Sequence, residues 1–131
     1  MRNCRRFCTY TGYLSSFRCG GPLSVGVVQD ILTLDACTSA HFEPHQILRD
    51  VGKAYTACAA LGADAVVSTG RWGCGVFGGV PAHKFLQQLV AARLAGVALE
   101  FSTFGTPDGC DELLSALRAR PVSVCGAWQL L

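Results

Sequence analysis

An α/β fold, with a mixed or largely parallel sheet flanked by helices and fewer strands than a free-standing sheet needs, is what this sequence predicts. Three observations predict it. Short β-rich runs alternate with helical periodicity in the order βαβαβα, which favours parallel strands joined by crossover helices. A glycine-rich loop stands between one such run and a helix opened by proline. The chain is also short and apolar: of its 131 residues 50% are hydrophobic and 15% charged. That charged share is well below the ~25% of an ordinary globular domain, so apolar surface is expected to await something else.

Each element follows from its residues. Val27 to Leu34 reads as a strand with Asp35 at its end. Pro44 suits the first turn of a helix that runs to about Leu61, with Ile47, Val51, Ala54, Tyr55 and Cys58 on one face and Gly62 as its stop. Ala65 to Ser68 is a short buried strand. Pro81 opens a second helix with Phe85, Leu86, Leu89 and Val90 as its buried stripe. Val97 to Thr103 reads as the next strand, and Asp111 to Arg120 as the last helix, carrying Leu113, Leu114 and Leu117. Residues 1–26 stand apart as an irregular segment, rich in Gly, Ser, Cys and aromatics, while 27–131 form the α/β body. Three parallel strands would leave two unpaired edges.

Several function classes fall away. A formal net charge of +2 is too weak for a nucleic-acid or membrane-surface binder, and Arg2, Arg5, Arg6, Arg118 and Arg120 read as solvated charge near the chain ends. No apolar run reaches the ~18 residues of a spanning helix, and Met1 to Phe17 lacks the apolar stretch of a secretory leader. An intracellular address, nuclear or cytoplasmic, is expected. The eight cysteines include no Cys-x-x-Cys pair, so neither a disulfide framework nor a metal site is expected, and no cofactor is called for. His41 and His45 flank Pro44 and read as ordinary histidines at a helix entrance.

The loop from Ser68 to Val80 carries Gly70, Gly73, Gly75, Gly78 and Gly79. Glycine permits positive φ and close approach to the backbone, and free amides near a helix N-terminus attract anions. A phosphate or diphosphate over residues 73–79 is the chemistry that fits. Gly73, Gly75 and Gly78 also satisfy G-x-G-x-x-G, with Glu100 about twenty residues on, the pattern of a dinucleotide-binding unit. Trp72, Phe77 and Pro81 crowd that pattern, and Glu100 falls inside the following strand.

The run Thr-Gly-Arg-Trp-Gly-Cys-Gly-Val-Phe-Gly-Gly (69–79) resembles the signature loop of the poly(ADP-ribose) glycohydrolases, T-G-N-W-G-C-G-A-F-G-G-D. Four further segments resemble that family in the same order. Tyr10-Thr11-Gly12-Tyr13, followed by Phe17-Arg18, resembles its Y-T-G-Y and Y-R. Ile31 to Ala36 resembles a strand ending in I-D-A, Lys53-Ala54-Tyr55 its K-A-Y, and Phe101 to Gly105 its Y-F-T-F-G. The resemblance covers about residues 9–106. It implies a macrodomain-like fold, a partial one over residues 27–131, that binds ADP-ribose or poly(ADP-ribose), and a hydrolase that cleaves ribose–ribose O-glycosidic bonds.

Carried over, the resemblance places Tyr13 and Phe104 at the adenosine, with Phe104 stacked on adenine. It makes Gly73, Cys74, Gly75, Val76 and Phe77 the diphosphate loop, with Phe77 against a ribose. Arg71 stands in place of the family's Asn, where it could pair with a phosphate, and Val80 replaces an acidic residue. The family's G-G-G loop followed by Gln-Glu-Glu, whose glutamate protonates the leaving oxygen, has no counterpart here. The chain thus resembles the C-terminal half of the catalytic domain, inactive alone, to be completed by a missing N-terminal half or a second chain. Two alternatives stand beside it: a non-catalytic ADP-ribose-binding module and a Rossmann-type dinucleotide-binding fragment.

Overall fold

A computed structural model of the chain describes residues 4–11, 18–105 and 107–131. They form two compact units, residues 1–33 and 34–131, which are taken separately below.

The first unit is an antiparallel pair, β1 (Cys4–Thr11) and β2 (Arg18–Gln29). Cys4 faces Gln29 and Arg6 faces Val27, but Cys8 faces Pro22, so the longer strand bulges between these positions. Here the expectations need correcting. Within the segment expected to be irregular, the described residues 4–11 and 18–26 lie in paired strands. The strand expected over Val27–Leu34 is instead the tail of β2, followed by residues 30–37 outside any strand. The apolar run Ile31-Leu32-Thr33-Leu34 has strand propensity, but a strand exists only where a ladder partner does.

The second unit begins with α1 (Pro44–Ala59). It buries Ile47, Asp50, Val51, Ala54 and Cys58, the i, i+3, i+4, i+7 spacing of one helix face. Tyr55, expected on that face, is exposed, and Asp50 takes its place inside. Then come β3 (Val66–Thr69), α2 (Pro81–Ala95), β4 (Ala98–Phe101), α3 (Cys110–Ala119) and a short α4 (Val124–Trp128). Pro81 supplies the preset φ of a first turn, and Gly96 ends α2 at φ +72, its amide donating to the Ala92 and Arg93 carbonyls. The unanticipated α4 is capped by Ser123, whose hydroxyl accepts from the Gly126 amide at 3.0 Å.

β3 and β4 pair in parallel, Val66 opposite Ala98 through Thr69 opposite Phe101, with α2 as the crossover. Ser102 extends the ladder by donating to the Thr69 carbonyl at 3.0 Å. Among the described residues this sheet has two strands, β3 and β4. One sheet face packs Val67 and Leu99 around buried Cys58, Ala92 and Val97. The other leaves Val66 and Glu100 exposed, whereas parallel sheets are ordinarily covered on both faces. The main core joins Ile47, Val51, Ala54, Leu86, Val90, Ala91 and Ala127, with Leu113 and Leu117 of α3 packed against it. Phe85 meets Phe101 edge-on at 4.9 Å, fixing α2 to the end of β4. Among the described residues no helix is long and apolar enough to cross a membrane.

Candidate functional site

The site has a floor of buried charge. Asp50 on α1 and Lys84 in the first turn of α2 are both 0% exposed, and Lys84 Nζ donates to Asp50 Oδ2 at 2.6 Å. An isolated charge could not stay ionised there, so the pair persists because its remaining valences are filled. Arg49 donates to Asp50 Oδ1 at 2.6 Å, and the Cys37 amide donates to both carboxylate oxygens at 3.0 and 3.1 Å. Lys84 donates further to Gln87 Oε1 at 3.2 Å and Cys37 Sγ at 3.3 Å, and lies 5.8 Å from the Trp72 ring centre. Burial pulls the Asp50 carboxyl upward, but its bonds from Lys84 and Cys37 outweigh that and hold it below the ordinary value. Burial first, then Asp50, pushes the Cys37 thiol up, against the pull of Lys84.

His41 ties this floor to the loop above it. Its Nδ1 lies 3.0 Å from Cys37 Sγ and its Nε2 2.6 Å from the Phe77 carbonyl oxygen. A carbonyl only accepts, so Nε2 carries the hydrogen in that bond. Nearer the surface, Asp35 is paired with both Arg49 and Lys53, chiefly the Lys53 hydrogen bond keeping its pKa down.

The glycine-rich stretch between β3 and α2 folds back on itself. The Gly79 amide donates to the Gly73 carbonyl at 2.9 Å, Cys74 to Arg71 at 3.0 Å and Gly78 to Gly75 at 3.1 Å. Trp72 Nε1 anchors the stretch by donating to the Leu34 carbonyl at 3.2 Å. Gln88 secures its entry, accepting from Thr69 Oγ1 at 2.8 Å and donating to the Gly70 carbonyl at 3.2 Å. Gly73 has φ +78, and a Cβ there would stand 2.7 Å from Ala36 Cβ, so only glycine fits. What the folding leaves over is informative. Among the described residues no backbone acceptor meets the amides of Gly75, Val76 and Phe77, and all three residues are exposed. They precede the N-terminus of α2, which no side chain caps.

Phe104 stands at the loop's flank. It is 73% exposed, has φ +56, and its ring lies close enough to Gly70 that a Cβ there would come within 3.2 Å of it. A bulky residue in the left-handed region is a strained position, of the kind that collects at ligand sites. Beside it Arg71 Nη2 donates to the Thr103 carbonyl at 2.6 Å and Nε to Asp108 Oδ2 at 2.9 Å. Asp108 Oδ1 accepts from the Cys110 amide at 3.1 Å, where α3 begins. Desolvation opposes the Asp108 charge, yet the bonds from Cys110 and Arg71 keep its pKa below the ordinary value.

Of the residues expected at a ligand site, Gly73, Cys74, Gly75, Val76 and Phe77 share this one loop. Arg71 stands at its entry and Phe104 beside that entry; Tyr13 lies outside the described residues. The dinucleotide pattern at Gly73, Gly75 and Gly78 is not housed as that pattern requires, because α2 starts only at Pro81 and Glu100 sits inside β4 opposite Ser68. Sequence reasoning missed Asp50, Lys84, Gln87, Gln88, Asp108 and the buried role of His41. Asp50 alone carried a signal: a carboxylate in the apolar stripe of a helix.

Comparison with known proteins gives the family. The family model described as poly(ADP-ribose) glycohydrolase, macro domain fold, matches residues 1–111. Among curated relatives, poly(ADP-ribose) glycohydrolase 1 of Caenorhabditis elegans is 29% identical over 94 residues, covering 67% of this chain and 12% of that protein. Poly(ADP-ribose) glycohydrolase 2 of the same organism is 28% identical over 102 residues, covering 73% of this chain and 21% of that protein. The match therefore spans a minor part of each relative's length. With the glycine loop, its bare amides and the flanking Phe104 falling inside the matched segment, the chain belongs to the poly(ADP-ribose) glycohydrolase family and to its macro domain fold.

Proposed function

We propose that this chain binds ADP-ribose, free or as a unit of poly(ADP-ribose), and does not by itself hydrolyse it. The observation that carries the reading is the run of exposed residues Gly75, Val76 and Phe77, whose amides meet no backbone acceptor among the described residues, with exposed Phe104 to one side. Three consecutive N–H donors without a backbone acceptor, just before a helix, suit a diphosphate, and a flat ring suits a base. In this arrangement the diphosphate lies along residues 73–77, the Phe77 ring packs a ribose, and adenine stacks on Phe104 with Tyr13 contributing to the adenosine side. Arg71 serves the same site from its entry.

The carboxylates explain the second half of the proposal. Cleaving a glycosidic bond needs an acid whose proton is available near neutral pH. Asp35, Asp50 and Asp108 all have pKa values below the ordinary value, Asp35 and Asp50 chiefly through bonds from Lys53 and Lys84 and Asp108 through bonds from Cys110 and Arg71. The sequence has no adjacent pair of glutamates. The catalytic carboxylates would then come from outside these 131 residues, in a longer product or a second polypeptide.

Calorimetric titration of the folded chain with ADP-ribose, with NAD in parallel, tests the binding. Affinity on the order of micromolar for ADP-ribose, exceeding that for NAD, is expected. A folded chain that takes up neither ligand would overturn the reading, and release of ADP-ribose from poly(ADP-ribose) by the chain alone would overturn its second half.

A further inference from the structure

We infer that Arg71 is a positioning residue for Phe104, holding the aromatic platform in place rather than gripping the ligand's phosphate. The inference rests on the proposed ADP-ribose site and adds how its base-binding edge is built in this chain.

Three observations meet at this point. Phe104 adopts φ +56, which a residue with a bulky side chain leaves unless its surroundings hold it. The residue immediately before it offers its carbonyl to Arg71 Nη2 at 2.6 Å, so the orientation of the 103–104 peptide is set from across the site. The same guanidinium is anchored by Asp108 at 2.9 Å, and that side chain is only 5% exposed and bonded to the start of α3. Arg71 thus braces residues 103–104 against a fixed point, approaching from the strand end on which the Phe104 ring rests, at Gly70. A forked, planar guanidinium can hold a carboxylate and a carbonyl at once; a neutral amide of asparagine length could not span both. The anchoring carboxylate also neutralises the charge that a phosphate ligand would need, which separates this role from direct anion binding.

The distinguishing experiment is a double-mutant cycle on the full chain with ADP-ribose as probe, combining R71N with F104A. If Arg71 acts through Phe104, R71N lowers affinity roughly five- to tenfold in the native background, within the range of a stacked base, and has no more than about a twofold effect once Phe104 is gone. Equal losses in both backgrounds would make Arg71 a direct phosphate ligand. No loss in the native background would make the brace idle, and either result overturns the inference.

A second arm needs no ligand. Amide hydrogen exchange of residues 102–105 should quicken in R71N and in D108N, while exchange within α2 stays at the native rate. Unchanged exchange at 102–105 overturns the inference even if the chain binds no ADP-ribose. Failure of the native chain to bind, with exchange quickened as expected, would instead fall on the proposed function alone.

Discussion

The floor of the site and its rim are built on opposite terms, although both are polar. Beneath the loop, Asp50, Lys84, Gln87 and the Cys37 amide satisfy one another, and the two charges are entirely out of contact with water. Along the rim, Gly75, Val76 and Phe77 are exposed residues whose amides meet no backbone acceptor among the described residues, and Phe104 is largely exposed. A satisfied group contributes rigidity and has nothing left to offer a ligand; an unsatisfied donor at the surface does the reverse. The difference teaches that a buried ion pair under a phosphate-type loop is not there to bind phosphate. Lys84 would be the obvious candidate for an anion ligand from its position next to the loop, and its hydrogen bonds direct it elsewhere.

Breaking the floor should produce the largest effect. K84M leaves the Asp50 carboxylate buried with its principal cation gone, and a loss of about 3–5 kcal/mol in urea unfolding is expected. A K84M/D50L double variant should recover much of that, because replacing a buried pair by apolar side chains costs far less than orphaning one member. If the single variant unfolds at the native urea midpoint, the floor is not what holds the unit together.

At the seam between the two regions, G73A should cost about 2–4 kcal/mol, since alanine would combine an unfavourable positive φ with a clash at Ala36. Both stability and ADP-ribose affinity should fall, and loss of one without the other would show that floor and rim are mechanically separate.

The rim is expected to answer differently. F104A should weaken ADP-ribose binding by about 1–3 kcal/mol, roughly 5- to 150-fold, as for a stacked base. Its unfolding midpoint should stay near native, because so exposed a ring adds little to the core. A large drop in stability with native affinity would reverse the assignment of Phe104.

The smallest effect concerns acid. The Asp108 pKa is lower folded than unfolded, so its contribution to stability is complete above the unfolded value, at about pH 4, and is lost as pH falls through the folded one. Removing the Arg71 partner raises the folded value toward the unfolded one and narrows that window. R71N should therefore give up part of the Asp108 contribution already at neutral pH, and its stability should fall less between pH 4 and pH 2 than the native chain's. An acid limb of native slope would mean that the Cys110 bonds alone keep Asp108 ionised.

How much of this was legible in the sequence varies with how local the cause is. Pro44 and Pro81 each mark the first residue of a helix, and the expected strands at 65–68 and 97–103 fall on β3 and β4 to within a few residues. Those signals are local: a fixed φ, an apolar run, a glycine after it. The strand expected at 27–34 failed because pairing is non-local, and Val27–Gln29 found its partner upstream in Arg6–Cys4. The loop was singled out by its own glycines, and Phe104 by the family resemblance. The floor was not: Asp50 interrupts the apolar stripe of α1, but nothing local ties it to Lys84 and Cys37 until folding joins them. Ser123 just after Pro121 is a capping signal that would have found α4.

That joining has a practical consequence. Lys84 meets partners 34 and 47 residues away along the chain, so no excised peptide can carry the site, and the loop is in place only when the whole second unit is. Recognition and global folding then share one equilibrium. Any small molecule that occupies the native loop must raise the melting temperature, by an amount that corresponds to about 2.7 kcal/mol at a hundredfold excess over its Kd. A thermal-shift screen of nucleotides and sugar phosphates against this chain would therefore rank ligands directly, without a catalytic assay.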